Sequence, residues 1–165
     1  MQSSPSAGDR PAAGARAASA ATDRLRESDF GRDVSFLLAR ANALSVAAGN
    51  AALADLGLKV RSFSVLALAA GDVRPTQRDL SEFLRLDPSQ VVALVDQLEK
   101  RGLVARTPDP ADRRANVVVA TDEGRALHAR AVRAARAAER DLHGDVSEDE
   151  RTILIGLLAR IAYPG

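Results

Sequence analysis

The side chains with the clearest capacity for chemistry lie in residues 106–124, RTPDPADRRANVVVATDEG. A Pro-rich turn in this segment holds two acids and two adjacent arginines, and an alternating apolar run follows it. A tip of this composition is too polar to bury, because a buried charge needs a partner. Arginine carries a planar fork of donors that suits phosphates and carboxylates. The tip is therefore a candidate for contact with an anionic partner.

Composition excludes several kinds of site. The chain has no cysteine, which removes disulfides, thiol redox sensing and thiolate metal sites. Its two histidines, His128 and His143, show no spacing typical of metal ligands or of a catalytic group. We therefore expect no enzyme activity, no metal and no cofactor. The net charge of +1 argues neither for nor against nucleic acid, because the placement of charge matters more than its sum.

The N-terminal part has no periodic apolar face. Residues 1–27 are mostly Ala, Ser, Gly and Pro with scattered arginine, so we expect a disordered tail that becomes helical near 23–27. This tail is either an inert leader or a flexible arm that touches DNA or a partner. No apolar stretch approaches the roughly 18 residues of a membrane span, and no signal peptide is visible. A cytoplasmic protein without a membrane partner is expected.

Helical periodicity starts after the tail. It predicts a long helix over about 29–55 and a second over about 60–70. Two short helices follow: TQRDL is a capping box at Thr76, with Leu80, Phe83 and Leu84 facing inward, and DPSQ places Asp87 at the N-cap with Pro88 at the first helical position. Only a residue or so separates the two helices, so they must cross steeply as a helix-turn-helix.

The second half of the chain predicts a hairpin and two more helices. Strands are expected over 103–107 and 115–120, joined by a loop too long for a tight turn. A long helix should run from the N-cap Thr121 to about residue 142, and SEDE at 147–150 opens a final helix. We thus expect a mainly α fold with a small β-hairpin. The apolar stripe of the final helix either meets a partner surface or closes a monomeric core.

Residues 80–127 carry a family resemblance. The runs LVDQLEKRGLVAR, DPADRR and TDEGRAL occur in the order and spacing of the winged helix-turn-helix of MarR-family bacterial transcriptional regulators. The flanking helices also resemble the family plan. The resemblance implies a winged helix-turn-helix over about 60–120 within a domain of residues 28–165, and long dimerisation helices over about 29–55 and 121–162.

The resemblance also implies a mode of action. A homodimer would bind a pseudo-palindromic double-stranded DNA operator, with the fourth helix in the major groove and the wing in the minor groove, most often as a repressor. The residues expected to form the dimer contact are apolar ones on the first and last helices: Val34, Leu37, Leu38, Ile153, Leu154, Leu157, Leu158 and Ile161.

The expected DNA contacts fall into three groups. The first group contacts phosphates and consists of Thr76, Gln77, Arg78, Arg101 and Arg106. The second group reads the bases from the outward face of the fourth helix and consists of Pro88, Ser89, Gln90, Val92, Ala93 and Gln97. The third group is the wing, where the resemblance implies that Asp112 orients Arg114 for the minor groove while Arg113 contacts the backbone. Ser89 and Gln90 can also serve as helix caps, and the two roles are compatible.

The recognition helix departs from the family at two positions. The family usually has Thr where Val92 stands and often Arg where Ala93 stands. Both replacements lose hydrogen-bonding capacity but leave small apolar groups that could meet thymine methyls. The alternative function is a winged helix that contacts only proteins. The resemblance further implies a small-molecule effector, often an aromatic or phenolic anion, bound between the dimer layer and the DNA-binding lobe.

Overall fold

The computed structural model describes residues 20–109 and 115–163 of the chain, which divides into two compact units at residues 1–44 and 45–165. The described part of the first unit begins in a helix, α1, which includes residues 20–27, so the expected tail ends in a helix. A 3-10 turn, Phe30–Arg32, and an extended Asp33 separate it from α2, Val34–Leu53. The Asp33 carboxylate accepts the N–H of Phe36 at 2.9 Å and thereby caps α2.

The second unit contains the end of α2 and every later element. A 3-10 turn, Ala54–Leu56, and the left-handed Gly57 (φ 63°) end the helix. The remaining elements are α3 (Val60–Ala70), α4 (Gln77–Leu84), α5 (Pro88–Lys100), β1 (Val104–Pro108), β2 (Asn116–Ala120), α6 (Asp122–Leu142) and α7 (Glu148–Ala162). This is the mainly helical architecture with one hairpin that the sequence predicts.

The two strands form an antiparallel pair in which Arg106 lies opposite Val118. The segment before α4 adds a short third edge, because Val118 donates its N–H to the carbonyl of Pro75 at 2.8 Å and Thr76 bridges to Val117. The start of α4 is therefore attached to the hairpin through main-chain hydrogen bonds. Helices α3, α5 and α6 pack around the hairpin base.

The helix starts predicted from sequence are confirmed. Thr76 and Asp79 form a reciprocal capping box at α4, and Ser147 and Glu150 form another at α7. Asp87 caps α5 by accepting the N–H of Ser89, and Pro88 follows at the first helical position. Each cap satisfies N–H groups that have no partner within the helix.

The core of the second unit is aliphatic. Its fully buried side chains come from α2, α3, α4, α5 and the hairpin, and include Leu53, Leu66, Leu80, Val91, Val95, Leu98, Val104 and Val118. The prediction that Phe83 faces inward is wrong, because its side chain is 57% exposed. Its ring instead lies 6.2 Å from that of Tyr163, which follows α7. Leu80 and Leu84 already occupy the inner face of this eight-residue helix.

The TDEG run at the start of α6 acts as a junction. The Thr121 hydroxyl donates to the carbonyl of Gly102 at 2.7 Å and accepts the N–H of Gly124 at 3.0 Å. A Cβ on Gly124 would lie 1.9 Å from the main-chain oxygen of Leu103. Only glycine at this position lets the first turn of α6 approach the turn that joins α5 to β1.

One sequence expectation about membranes needs correction. The segment Val34–Leu56 has a mean hydropathy of 1.2 and is long and apolar enough to cross a membrane, although only 6% of it is buried. Only its length and its composition meet the criteria for a membrane span. Within it, the side chain of Asn50 accepts the N–H of Val60 at 2.9 Å, which ties the end of α2 to the start of α3.

The close approach at Gly124 leads to a stability prediction. Gly124→Ala should lower the free energy of unfolding by about 2–4 kcal/mol, because the added methyl group meets rigid backbone rather than a movable side chain. Gly144→Ala is the matched control, since its nearest neighbours would be 3.7 Å away. Urea unfolding at one protein concentration measures both variants. Equal midpoints for the two would show that α6 does not need this contact.

Candidate nucleic-acid interface

The N-terminal end of α4 presents one of the predicted contact groups. Thr76 and Gln77 are half-buried and Arg78 is exposed. Asp79 accepts the N–H of Thr76 at 2.8 Å, and these hydrogen bonds from Thr76 hold the pKa of the Asp79 carboxyl below its usual range. The carboxylate is thereby used as a cap. Arg78 pairs with Glu82 at 2.8 Å on the exposed surface, where such a pair contributes little and exchanges readily.

The N-terminal end of α5 is built in a similar way. The Asp87 carboxylate accepts both the N–H and the hydroxyl of Ser89, at 2.8 and 2.5 Å, and these bonds lower the pKa of Asp87. Ser89 therefore has a capping role, which leaves its hydroxyl oxygen able to accept a further hydrogen bond. The predicted reading residues are all exposed on this helix: Pro88, Ser89, Gln90, Val92, Ala93 and Gln97.

Arg106 on β1 holds these elements together. Its guanidinium forms ion pairs with Asp96 and Glu99, both on α5, and donates to the side-chain oxygen of Gln77 at 2.9 Å. Its main-chain N–H also donates to Glu99, at 3.1 Å. Although burial opposes the charged form, the two carboxylates raise the pKa of Arg106 above its usual value. One side chain thus connects the reading helix, the start of α4 and the wing strand.

Arg101 also has partners within the chain. Its guanidinium donates to the carbonyls of Gly57 and Leu56, at 2.6 and 3.0 Å, which lie in the turn after α2. Sequence reasoning assigned Arg101 and Arg106 to phosphate and missed these internal bonds. The signal that could have found the Arg106 bonds is the pair Asp96 and Glu99, spaced to share one face of α5.

The wing is closed at its base by a hydrogen bond from the N–H of Asp109 to the carbonyl of Ala115, at 2.9 Å. Asp112, Arg113 and Arg114, the predicted tip residues, lie outside the described residues, and their roles remain predictions. The strands that precede and follow residues 110–114 pair in a register of five residues on each side. The hairpin therefore determines where the tip starts and ends.

Metal binding and catalysis are the alternative uses for polar side chains of this kind. Among residues 20–109 and 115–163, no three His, Cys, Asp or Glu side chains are grouped as metal ligands would be. His128 lies half-buried with its ring 5.9 Å from that of Phe63 and stacked on it. His128 therefore has a structural role, as a packing partner of Phe63.

Solved structures of other proteins resemble this chain over most of its length. A MarR-family transcriptional regulator from Rhodococcus sp. RHA1 is 38% identical, with a TM-score of 0.78 over 84% of this chain and 100% of its own. CouR from Rhodococcus jostii RHA1, solved with p-coumaroyl-CoA, is 40% identical, with a TM-score of 0.76 over 84% of this chain and 98% of its own. A repressor named CouR, solved on a 23-mer DNA duplex, is 31% identical, with a TM-score of 0.75 and coverage of 82% and 96%.

Sequence comparison covers less of each protein. The regulator PecS of Dickeya dadantii is 35% identical over 109 residues, which are 63% of this chain and 64% of that protein. The chain spans between 52% and 64% of the length of the curated relatives it matches. The profile of the MarR family matches residues 56–115, from the turn after α2 to the end of the wing loop. The chain belongs to the MarR family of transcriptional regulators.

Proposed function

We propose that this protein is a sequence-specific double-stranded DNA-binding regulator that acts as a homodimer on a pseudo-palindromic operator and represses transcription. The observation that carries the proposal is the exposed polar face of α5, held by the Arg106 cluster beside the start of α4 and the base of the wing. The structure of a related repressor on a DNA duplex supports it. Such a regulator works in the cytoplasm, where it meets its operator.

In this proposal α5 lies in the major groove. Gln90 and Gln97 are both exposed and lie about two helical turns apart. Each side-chain amide can offer a donor and an acceptor to an adenine edge. Val92 is 41% exposed, and with Ala93 it presents apolar surface that fits thymine methyl groups. Phosphates would be held by Thr76, Gln77 and Arg78 at the start of α4.

The wing supplies the second contact. Arg114 would enter the minor groove, with Asp112 orienting its guanidinium and Arg113 on the adjacent backbone. A pre-oriented arginine loses less side-chain entropy on binding, and a narrow A·T-rich groove attracts it.

Exposed apolar surface supports the homodimer. None of the residues of α7 is buried, and Ile153, Leu154, Leu157, Leu158 and Ile161 are 38–62% exposed. In the first unit, Val34, Leu37 and Leu38 are 37–64% exposed. Apolar faces of this extent mark an interaction surface. We propose that a second copy of the chain covers them, and this also accounts for the apolar character of α2 without a membrane.

A small-molecule effector completes the proposal. An aromatic or anionic compound would bind between the dimer layer and the DNA-binding lobe and lower operator affinity. The related structure of CouR with p-coumaroyl-CoA supports a ligand of this kind.

The first test is a gel-shift titration with the DNA upstream of the protein's own coding sequence. The parent dimer should shift this DNA at concentrations about 10³-fold lower than random duplex, and Arg114→Ala should weaken operator binding about tenfold or more while folding and dimerisation persist. Arg133→Ala, on the exposed surface of α6, is the matched control. A folded dimer that shifts no DNA would favour the protein-contact alternative, and an unaffected Arg114→Ala variant would remove the minor-groove role.

Base reading and phosphate contact give different signatures. Gln90→Ala should cost about 1–3 kcal/mol at the operator, relax specificity at one base pair and leave the salt dependence unchanged. Arg78→Ala should instead weaken operator and random DNA alike and reduce the slope of log affinity against log salt by about one unit. Fluorescence anisotropy at several salt concentrations measures both quantities. Loss of operator and random binding in equal proportion for Gln90→Ala would place this residue away from the bases.

The Arg106 cluster predicts a third signature. Arg106→Gln should lower operator affinity because α5 loses its fixed position against α4 and β1, yet the salt slope should match the parent if the guanidinium does not touch phosphate. Its free energy of unfolding should fall by about 1–2 kcal/mol. This is less than the loss of a fully buried ion pair would cost, because Asp96 and Glu99 are partly solvated. Arg106→Lys keeps the charge but not the fork, and should restore only part of the affinity. A reduced salt slope would return Arg106 to phosphate contact.

A further inference from the structure

Two arginines outside the predicted contact groups border one groove at the base of the wing. The groove has a volume of about 280 Å³ and is lined by Arg74, from the segment before α4, and by Arg125, from the start of α6. The other lining residues are Ala69, Gly71, Asp72 and Val119. Both arginines are exposed, so the groove is accessible to a large partner.

The groove lies on the face of the hairpin opposite to Arg106. Arg106 and Thr107 are successive residues of β1, so their side chains point to opposite faces of the sheet. Arg106 points towards α5 and the start of α4. The Arg74 guanidinium donates to the hydroxyl of Thr107 at 3.4 Å, which places it on the face that Arg106 does not use. We refer to this second face as the outer face of the wing.

Arg74 holds a backbone conformation that suits glycine better than arginine. Its φ is 53°, and among the described residues Arg85 is the only other non-glycine residue with a positive φ. Arg85 is the C-cap of α4, where a left-handed residue is common, whereas Arg74 ends no helix. The next residue, Pro75, is buried and its carbonyl accepts the N–H of Val118, so the hairpin fixes this conformation. Strained residues of this kind concentrate at functional sites, which points to a use for the arginine side chain.

Neither guanidinium has a strong partner within the chain. Arg74 forms no ion pair within residues 20–109 and 115–163, and its hydrogen bond goes to the uncharged Thr107. The ion pair of Arg125 with Asp122 is 3.8 Å long and its carboxylate is fully exposed, so it contributes little. Asp72 is the acid in the groove lining, which leaves two arginines against one acid. So small an excess holds a free anion weakly in water, but it suits a polyanion that other contacts already hold beside it.

We propose that Arg74 and Arg125 bind backbone phosphates of DNA on the outer face of the wing. This role rests on the proposed function, in which the tip of the wing enters a minor groove. That groove is only about 6 Å wide, so phosphates of both strands lie close to a wing inside it. The start of α4 would hold the strand on one side, and the two arginines would hold the strand on the other. Such contacts fix the depth and direction of the wing without reading sequence.

Fluorescence anisotropy with an operator duplex at several salt concentrations tests this role. Arg74→Gln/Arg125→Gln should lower operator affinity about tenfold or more near physiological salt, and should reduce the slope of log affinity against log salt by about two units. Arg130→Gln/Arg133→Gln is the matched control, because it removes the same charge from exposed positions of α6 that do not line the groove. This control should keep the salt slope of the parent.

A glycine variant separates binding from folding. Arg74→Gly should melt no lower than the parent, because glycine adopts a positive φ without strain. It should nevertheless lose operator affinity by about fivefold, the value of one phosphate contact near physiological salt. A residue with a purely structural role would show both effects in the same direction.

Duplexes with a neutral methylphosphonate in place of one phosphate locate the contact. Parent affinity should fall when the replaced phosphate lies beside the outer face of the wing, on the strand that α4 does not contact. The Arg74→Gln/Arg125→Gln variant should not respond to this replacement, because the interaction is already lost.

Three results would overturn the role: a double variant with the parent's salt slope, a double variant that loses no more affinity than its control, or an Arg74→Gly variant that binds the operator as tightly as the parent. A parent protein that binds no DNA would contradict this role and the proposed function together. A parent that binds its operator and loses affinity on Arg114→Ala, beside an unaffected double variant, would contradict this role alone.

Discussion

The position of the reading helix depends on one side chain. Arg106 reaches from β1 to two carboxylates on α5 and to the amide of Gln77 at the start of α4. An eight-residue helix and a two-stranded hairpin have little core of their own with which to fix a mutual angle. A half-buried guanidinium with three directed partners provides that angle. The main-chain bond from Val118 to Pro75 attaches α4 to the hairpin independently of Arg106.

Internal partners for acidic side chains also explain how a protein with a net charge of only +1 can present a surface to nucleic acid. Four acids of the winged region are used internally: Asp79 and Asp87 cap helices, and Asp96 and Glu99 hold Arg106. Hydrogen bonds from Thr76 and Ser89 lower the pKa of the two caps, so these carboxylates keep their N–H partners down to a more acidic pH than an ordinary aspartate would. Acidic residues in a DNA-binding region thus need not oppose an anionic ligand when each one has a local function.

Sequence predicted the elements of this fold because its signals are local. The caps at Thr76, Asp87 and Ser147 each depend on residues within three positions, so they could be identified without tertiary information. The partners of Arg101 and Arg106 lie up to 45 residues away and could not. The predicted inward direction of Phe83 was wrong for a related reason. Two leucines already fill the inner face of this short helix, so the environment of the third apolar side chain depends on distant parts of the chain. The wing residues Asp112 and Arg114 rest on family resemblance alone.

Helix α6 gives the molecule a mechanical property. It is unbroken over 21 residues, a rod of about 31 Å at 1.5 Å per residue. Its first turn is pressed against the Leu103 backbone through Gly124, and its last turn lies at the corner where α6 turns into α7. A tilt of only about 5° about one end of such a rod moves the other by roughly 2.7 Å. Since the close contact at Gly124 leaves no slack, a small displacement at the far end would be transmitted to the base of the wing rather than absorbed.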